Sequence, residues 1–136
     1  MIVADTGALY ALVDASDAWH KRVVEWWRGN ADQVVVPATV LPEVTYLLQQ
    51  RIGVEAEIAF VRAVADGEFT VEHLDDTDVD RAVAVMEKYE DLAVGFIDAT
   101  IVAIAERVDA TTVLTTDRRH FGTIRPRHAR GFRIVP

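Results

Sequence analysis

The chain alternates short apolar runs rich in β-branched residues with longer segments of helical spacing, and this alternation continues from one end to the other. Strands alternating with helices favour a parallel sheet, because a parallel connection needs a crossover long enough to hold a helix. We therefore predict an α/β fold with a central parallel sheet and helices on both faces. No repeat or interdomain linker interrupts the sequence, so we expect a single domain, 1–136.

The pattern also predicts where the strands and helices lie. The strands are expected at 2–5, 34–36, 69–74, 111–116 and 132–136. The helices are expected at 6–13, 16–30 with Ser16 as N-cap, 39–53, 54–66, 76–89 with Asp76 as cap, and 96–108. The last helix is apolar on almost every side, which predicts that it is buried.

Four acidic residues lie beside or within apolar segments: Asp5, Glu43, Asp98 and Asp117. A buried ionised carboxylate costs several kcal/mol unless it is paired or binds a metal. Asp5 and Asp117 also follow predicted strands directly, at the edge where open parallel sheets bind their ligands. Together the four acids predict a metal-binding acidic pocket, and hence an enzyme.

Helix capping is the alternative explanation for three of these acids. Aspartate is a preferred N-cap, so Asp5, Asp98 and Asp117 could each serve only to begin a helix or turn. Glu43 differs, because positions 40, 43, 44, 47 and 48 share one helix face, which predicts a carboxylate inside the apolar stripe and away from solvent. Independent capping does not account for the whole set.

The side chains that are available as ligands limit which metal ion the predicted pocket can bind. Without cysteine the chain has neither thiolate zinc sites nor disulfides, and its histidines lack ligand spacing, so none is assigned to a metal. Carboxylate oxygens suit Mg²⁺ or Mn²⁺, and such an ion can activate water for attack on phosphorus. Thr6 and Thr116, each next to a strand-end acid, could bind metal-bound water or phosphate, or could only stabilise turns.

The net charge of −8 argues against a nucleic-acid partner until its distribution is considered. The segment 118–136 carries six arginines and no acid. Arginines beside an acidic pocket suit phosphodiester cleavage, because they can hold the backbone that flanks the bond to be cut. A solvated basic terminus is the alternative. No apolar stretch approaches the ~18 residues of a membrane span, and no basic leader is present, so we expect a soluble cytoplasmic protein.

Four motifs in a fixed order carry a family resemblance: D-T-G, P-A-T-V-L-P-E-V, F-I-D-A-T-I-V-A-I-A-E-R and V-L-T-T-D-R-R-H-F. Over essentially the whole chain they resemble the PIN-domain ribonucleases, specifically the VapC toxins of bacterial toxin–antitoxin pairs. By position, the family's acids correspond to Asp5, Glu43, Asp98 and Asp117. Thr116 matches the hydroxyl residue that often precedes the last acid.

The resemblance implies more than a fold. It implies Mg²⁺- or Mn²⁺-dependent endoribonuclease activity, a homodimer or higher-order complex, and inhibition by a VapB-type antitoxin through which alone the chain would contact operator DNA. We expect a basic side chain of that antitoxin to enter among the four acids and an apolar segment to cover Trp19 and Trp26.

Two further groups of residues have structural explanations. The three tryptophans of the second predicted helix (19, 26 and 27) are predicted to pack in the core, with a dimer or antitoxin surface as the alternative. The aspartates at 75, 76, 78 and 80 are predicted to form a solvated helix start. Asp91 is predicted to lie in a surface loop, with a role as an accessory acid as the alternative.

Other function classes compare less well. A receiver-type phosphotransfer module needs a lysine on a late strand, whereas Lys21 and Lys88 are the only lysines. An aspartyl phosphatase would read D-x-D-x-T after the first strand, whereas this chain reads D-T-G-A-L. The main alternative is a non-catalytic PIN-fold binding module that acts in antitoxin pairing and operon repression.

Overall fold

The computed structural model describes all residues, 1–136, and has the α/β architecture predicted from the sequence. The strands are β1 (Ile2–Ala4), β2 (Val34–Pro37), β3 (Thr70–Glu72), β4 (Thr112–Leu114) and β5 (Arg133–Val135). The helices are α1 (Thr6–Val13), α2 (His20–Asn30), α3 (Leu41–Arg51), α4 (Val54–Ala65), α5 (Asp76–Lys88), α6 (Phe96–Arg107) and α7 (Arg118–Thr123). Short 3₁₀ helices cover Ala31–Gln33, Ala38–Val40 and Glu90–Leu92.

The sheet is parallel throughout, with the strand order β3-β2-β1-β4-β5. The chain builds outward from β1 to one edge, then crosses back to β4 and builds to the other edge. The strand order therefore reverses between β1 and β4, where Ala4 is paired with Leu114. Ligands of open parallel sheets bind beyond the carboxyl ends of the strands at such a reversal. Asp5 and the residues after Leu114 lie there.

Helix α6 is the buried helix that its apolar sequence predicted. Every residue from Ala99 to Ala105 is buried, and the helix packs against α5, β1 and β2. The Thr100 hydroxyl donates to the carbonyl of Ile97 at 2.7 Å, and the Thr39 hydroxyl lies 2.7 Å from it. These contacts fix the first turn of α6, which carries Asp98, near the residues that follow β2.

Two predicted helix starts were wrong. Helix α2 begins at His20, because Ser16 donates both its N–H (2.9 Å) and its hydroxyl (2.7 Å) to Asp14 Oδ1 and so belongs to a turn. Helix α5 is capped by Asp75 and not by Asp76. Helix α7, which has only six residues, was not predicted from the sequence.

The predicted solvation of the 75–80 acids was wrong for Asp78. Its side chain is only 2% exposed and accepts from Arg107 Nε at 3.0 Å. Arg107 also binds Glu72 at 2.7 Å, so one guanidinium links α6 with α5 and β3. Asp78 is drawn inward because it completes a capping box with Asp75 and faces this arginine.

The core-packing prediction is confirmed for two of the tryptophans. Trp26 and Trp27 pack against the core, and the Trp27 ring lies 5.7 Å from that of Phe69. Trp19, which directly precedes α2, does not belong to the core cluster. None of the helices combines the length and the apolar composition needed to cross a bilayer.

Candidate functional site

An open pocket of about 370 Å³ lies at the carboxyl edge of the sheet. All five residues predicted for the site line it: Asp5, Glu43, Asp98, Thr116 and Asp117. They come from segments far apart in the sequence, so the fold itself assembles them. Ten of the twelve lining residues are polar or glycine, which suits a charged ligand better than an apolar one.

Asp5 both caps a helix and faces the pocket. One carboxylate oxygen accepts from the backbone N–H of Ala8 at 2.8 Å, which caps α1, and the other accepts from the Thr115 hydroxyl. The capping alternative is therefore correct for Asp5 but does not exclude a role in the site. Burial raises the pKa of Asp5 to about 6, against the lowering effect of its two hydrogen bonds, and repulsion from Asp98 and Asp117 adds to the rise.

Asp98, Asp117 and His120 form the tightest cluster of the pocket. His120 Nδ1 lies 2.9 Å from Asp98 Oδ2 and 3.4 Å from Asp117 Oδ2. One potential ligand atom from each of the three residues lies within 4.8 Å of the others. Burial raises the pKa of Asp98, against the lowering effect of His120, and Asp117 raises it further. Such spacing suits coordination of one cation.

Asp98 and Asp117 hold different positions at the starts of their helices. Asp98 lies in the first turn of α6, whose N-cap is Gly95, so the capping alternative is wrong for Asp98. Asp117 does cap α7, since its Oδ1 accepts from the N–H of Arg119 at 2.9 Å. Its Oδ2 remains directed toward His120. One oxygen of Asp117 is thus left for a ligand.

Glu43 lines the pocket but is exposed, so its predicted position inside the apolar stripe of the helix was wrong. The helix turns its apolar stripe toward the core through Val44 and Leu48, which leaves Glu43 at the rim of that stripe. Its Oε2 accepts from the Thr6 hydroxyl at 3.3 Å. Thr6, considered for water or phosphate, therefore orients a carboxylate.

The two threonines before Asp117 have different contacts. Thr116 lines the pocket beside Gly7, where an added Cβ would lie 2.5 Å from Thr116 Oγ1. This close approach explains the glycine of the D-T-G motif. Thr115, which the sequence analysis missed, bonds Asp5 and accepts from the N–H of Asp117 at 2.8 Å. No sequence pattern identified Thr115, because it is the strand register, in which Ala4 pairs with Leu114, that brings the next residues together.

No histidine was assigned to the metal from the sequence, because none has the spacing of a histidine ligand pair, but the structure places His120 in the pocket beside Asp98 and Asp117. Its position three residues after Asp117 was the usable signal, because i and i+3 share one face of a helix. Once α7 forms, its first turn brings both side chains to the pocket.

Arg51 is the only arginine that lines the pocket. Its guanidinium lies over the Tyr10 ring, 5.0 Å from the centroid, and the Tyr10 hydroxyl donates to Asp14 at 2.5 Å. The aromatic face thus holds a cation at the rim of a strongly acidic pocket. Sequence reasoning did not identify this residue, although Arg51 ends α3, the helix that carries Glu43.

Only part of the basic C-terminal segment adjoins the pocket. Arg118 and Arg119 follow Asp117 and are exposed. Arg133 pairs with Thr112 at the amino end of β4, the opposite edge of the sheet. The N–H of Arg127 donates to Glu106, in the last turn of α6. The prediction that this segment flanks an acidic pocket therefore applies to its first two arginines.

The donor set fits a hard divalent cation. Carboxylate oxygens predominate, and Mn²⁺ tolerates the single imidazole. Burial raises the pKa of both Asp5 and Asp98, and repulsion between the carboxylates adds to each rise. A metal bound among Asp5, Asp98 and Asp117 would remove that repulsion. Glu43 and His120 would contact it directly or through water.

Comparison with known proteins gives concordant results. The family model described as PIN domain matches residues 2–125. Ribonuclease VapC26 of Mycobacterium tuberculosis is 36% identical over 135 residues, which covers 99% of this chain and 100% of that protein. The crystal structure of VapC20 of Mycobacterium tuberculosis, described as a sarcin–ricin loop cleaving toxin, superposes with a TM-score of 0.85 at 25% identity, covering 96% of this chain and 99% of that one. A DNA-bound VapBC complex from Salmonella typhimurium contains a chain with the same fold (TM-score 0.71, 18% identity, 98% and 95% covered).

Proposed function

Because this chain belongs to the PIN domain family, we propose that it is a metal-dependent endoribonuclease toxin of the VapC type. Its site would hold Mg²⁺ or Mn²⁺ among Asp5, Glu43, Asp98 and Asp117 and would hydrolyse phosphodiester bonds of RNA. The whole-length similarity to a protein named a ribonuclease supports the reaction class. The description of VapC20 as a sarcin–ricin loop cleaving toxin makes that loop one substrate to test.

The observation that carries this proposal is the assembly of carboxylates in one open pocket with too few cations to neutralise them. Asp5 and Asp98 both have raised pKa values, and burial is the main cause for each. A fold keeps such groups at a cost in stability when they serve a ligand. That ligand must be positively charged, and the oxygen donors favour Mg²⁺ or Mn²⁺.

Each side chain of the site has a distinct role in the proposed reaction. Asp5 is held rigidly by Ala8 and Thr115, and Asp98 is oriented by His120. Thr6 orients Glu43 at the outer rim, where attacking water can enter. The bound metal supplies charge stabilisation at the phosphate and a more acidic water. Arg51 and the Thr116 hydroxyl lie where they can contact phosphate oxygens.

The direct test uses the purified chain free of any partner. With millimolar Mg²⁺ or Mn²⁺ it should cleave total RNA or a sarcin–ricin loop RNA, and EDTA should stop the reaction. The same metals should also raise its melting temperature, because an ion that binds only the folded state stabilises it by mass action. Metal-induced stabilisation without cleavage of any RNA would favour the alternative of a binding module. Cleavage unaffected by EDTA would contradict the metal-dependent mechanism.

We further propose that the chain is neutralised by a VapB-type antitoxin and contacts operator DNA only through it. The similarity to a chain of a VapBC complex supports this partner class. The uncompensated carboxylates supply the physical reason, since an arginine or lysine of the antitoxin can replace the metal. Exposed apolar residues of α3 and α4, including Tyr46, Ile58 and Val61, offer a surface for the antitoxin or for a second copy of the chain.

Truncation of the antitoxin tests the mode of inhibition. Removing its basic C-terminal segment should restore ribonuclease activity while the rest of the antitoxin stays bound, because the carboxylates are then free. Raising the Mg²⁺ concentration should likewise weaken inhibition by the intact antitoxin. The measurements are cleavage rate and complex formation by size-exclusion chromatography. Full inhibition by the truncated antitoxin, with no effect of Mg²⁺, would argue for inhibition away from the carboxylates.

A further inference from the structure

Two arginine side chains lie over the Trp19 ring at the surface. The guanidinium carbon of Arg22 is 5.1 Å from the indole centroid, and that of Arg118 is 6.0 Å from it. Arg22 belongs to α2 and Arg118 to α7, so the fold brings the second cation to the indole. Unlike Trp26 and Trp27, Trp19 takes no part in the core.

Trp19 and Arg118 each adjoin a residue that lines the carboxylate pocket. Asp17, which lines the pocket, accepts the backbone N–H of Trp19 at 2.8 Å. Arg118 directly follows Asp117, which also lines the pocket. A ligand chain that leaves the pocket along this wall therefore meets the indole and the two guanidiniums next.

Both arginines are exposed, and neither lies within ion-pair distance of an aspartate or glutamate side chain. Arg118 donates to the backbone oxygen of Pro136, the last residue of the sequence, at 3.1 Å. In a chain of net charge −8, two guanidiniums over one aromatic ring form a local site for a ligand that is both aromatic and anionic.

We propose that Trp19, Arg22 and Arg118 form a subsite for an unpaired nucleotide of the RNA substrate, next to the bond that is cleaved. The Trp19 indole would stack on the base, and the guanidiniums of Arg22 and Arg118 would contact the adjacent phosphates, as in single-strand binding generally. The inference rests on the proposed ribonuclease function and adds a substrate class to it. A base within a duplex has no free face, so the subsite selects loops, bulges or single strands.

A protein partner is the competing occupant, and the charges disfavour it. The proposed antitoxin brings a basic segment to the pocket, and that segment would meet two like charges at Arg22 and Arg118. RNA carries the opposite charge and an aromatic base for each phosphate. The patch therefore complements RNA better than a basic peptide.

The test measures RNA binding by the full chain made inactive with Asp98→Asn, in Mg²⁺. The probes are a synthetic RNA hairpin with an unpaired loop and a fully paired RNA duplex of equal length. Loop binding should quench tryptophan fluorescence, and adding Trp19→Phe should remove most of the quenching while affinity for the loop largely remains. Trp19→Ala should weaken loop binding by roughly 5- to 150-fold, the range for loss of one base–aromatic stack, and duplex binding by much less.

The arginine provides a matched comparison on the same helix. For Arg22→Gln, the slope of the logarithm of the loop-binding constant against the logarithm of the salt concentration should become shallower by roughly 0.7 for each lost phosphate contact. Arg28→Gln replaces another exposed arginine of α2 without an ion pair, and it should leave both affinity and salt dependence unchanged. Unfolding of each variant is followed by circular dichroism, so that loss of structure is not mistaken for loss of a contact.

Several results would overturn the subsite. They are unchanged loop affinity for Trp19→Ala, equal losses for loop and duplex, or weakened antitoxin binding with RNA binding intact. Cleavage of total RNA by the wild-type chain, assayed in parallel, tests the proposed function separately. If the wild type cleaves RNA and Trp19→Ala binds the loop normally, only the subsite proposal is refuted. If loop binding quenches Trp19 in the wild type but no RNA is ever cleaved, the subsite proposal stands and the proposed nuclease function is refuted.

Discussion

Replacing Asp98 with asparagine is expected to abolish RNA cleavage while leaving the fold intact. Asparagine keeps the size and one oxygen of the side chain but removes the charge that attracts a divalent cation. Loss of an outer partner of a metal site typically costs about 10- to 100-fold in affinity or activity, so loss of a direct ligand should cost at least about 100-fold. The fold should survive because Asp98 is not the cap of α6 and its only side-chain hydrogen bond is with His120.

The same substitution should also raise the melting temperature in metal-free buffer. Burial and the neighbouring Asp117 raise the pKa of Asp98, so its ionised form destabilises the folded chain at neutral pH. Asp91→Asn is the matched control, since Asp91 is exposed in the 3₁₀ helix before α6 and does not line the pocket. It should leave cleavage unchanged. Full activity of Asp98→Asn would refute the assignment of the site, and its unfolding would identify Asp98 as structural.

Replacing Asp5 with asparagine is expected to stabilise the metal-free chain in a pH-dependent way. The folded pKa of Asp5 is about 6, above its ordinary value of 3.8. Between these two values the folded state retains a proton that the unfolded state has lost, so stability falls as the pH rises through this window. Above pH 6 the ionised carboxylate destabilises the fold by up to about 3 kcal/mol, and below pH 3.8 this cost disappears.

The gain in unfolding free energy from Asp5→Asn should therefore be about 2 kcal/mol larger at pH 7.5 than at pH 4.5. Chemical denaturation in EDTA at the two pH values measures it. Asp32→Asn, at an exposed carboxylate without a hydrogen bond or ion pair, controls for the loss of one surface charge. A gain in unfolding free energy that is the same at both pH values would mean that burial does not raise the pKa of Asp5. Mg²⁺ should remove the advantage of the variant, because the wild type gains stability by binding the ion.

Some elements of the fold could be predicted from short stretches of sequence, whereas others depended on contacts within the folded chain. The strands and most helices follow from periodicity, because alternation of apolar residues and helical spacing are properties of a short segment. The starts of α2 and α5 were misplaced because aspartate and serine can each end a turn or cap a helix, and nearby competitors decide which occurs. Helix α7 has six residues, which is too few for helical periodicity to be recognised in the sequence.

The sequence by itself determined the α/β architecture and the four acids of the pocket, because each acid is locally conspicuous against apolar neighbours. Only the tertiary structure decided their partners. The order of the strands brings Thr115 to Asp5, the packing of α7 brings His120 to Asp98, and a distant guanidinium draws Asp78 inside. Such contacts join residues far apart in the chain, and their energies depend on burial and charge at positions that no local pattern specifies. For the same reason Trp19, which was predicted to pack in the core, lies outside it and has Arg118 of α7 as one of its neighbours.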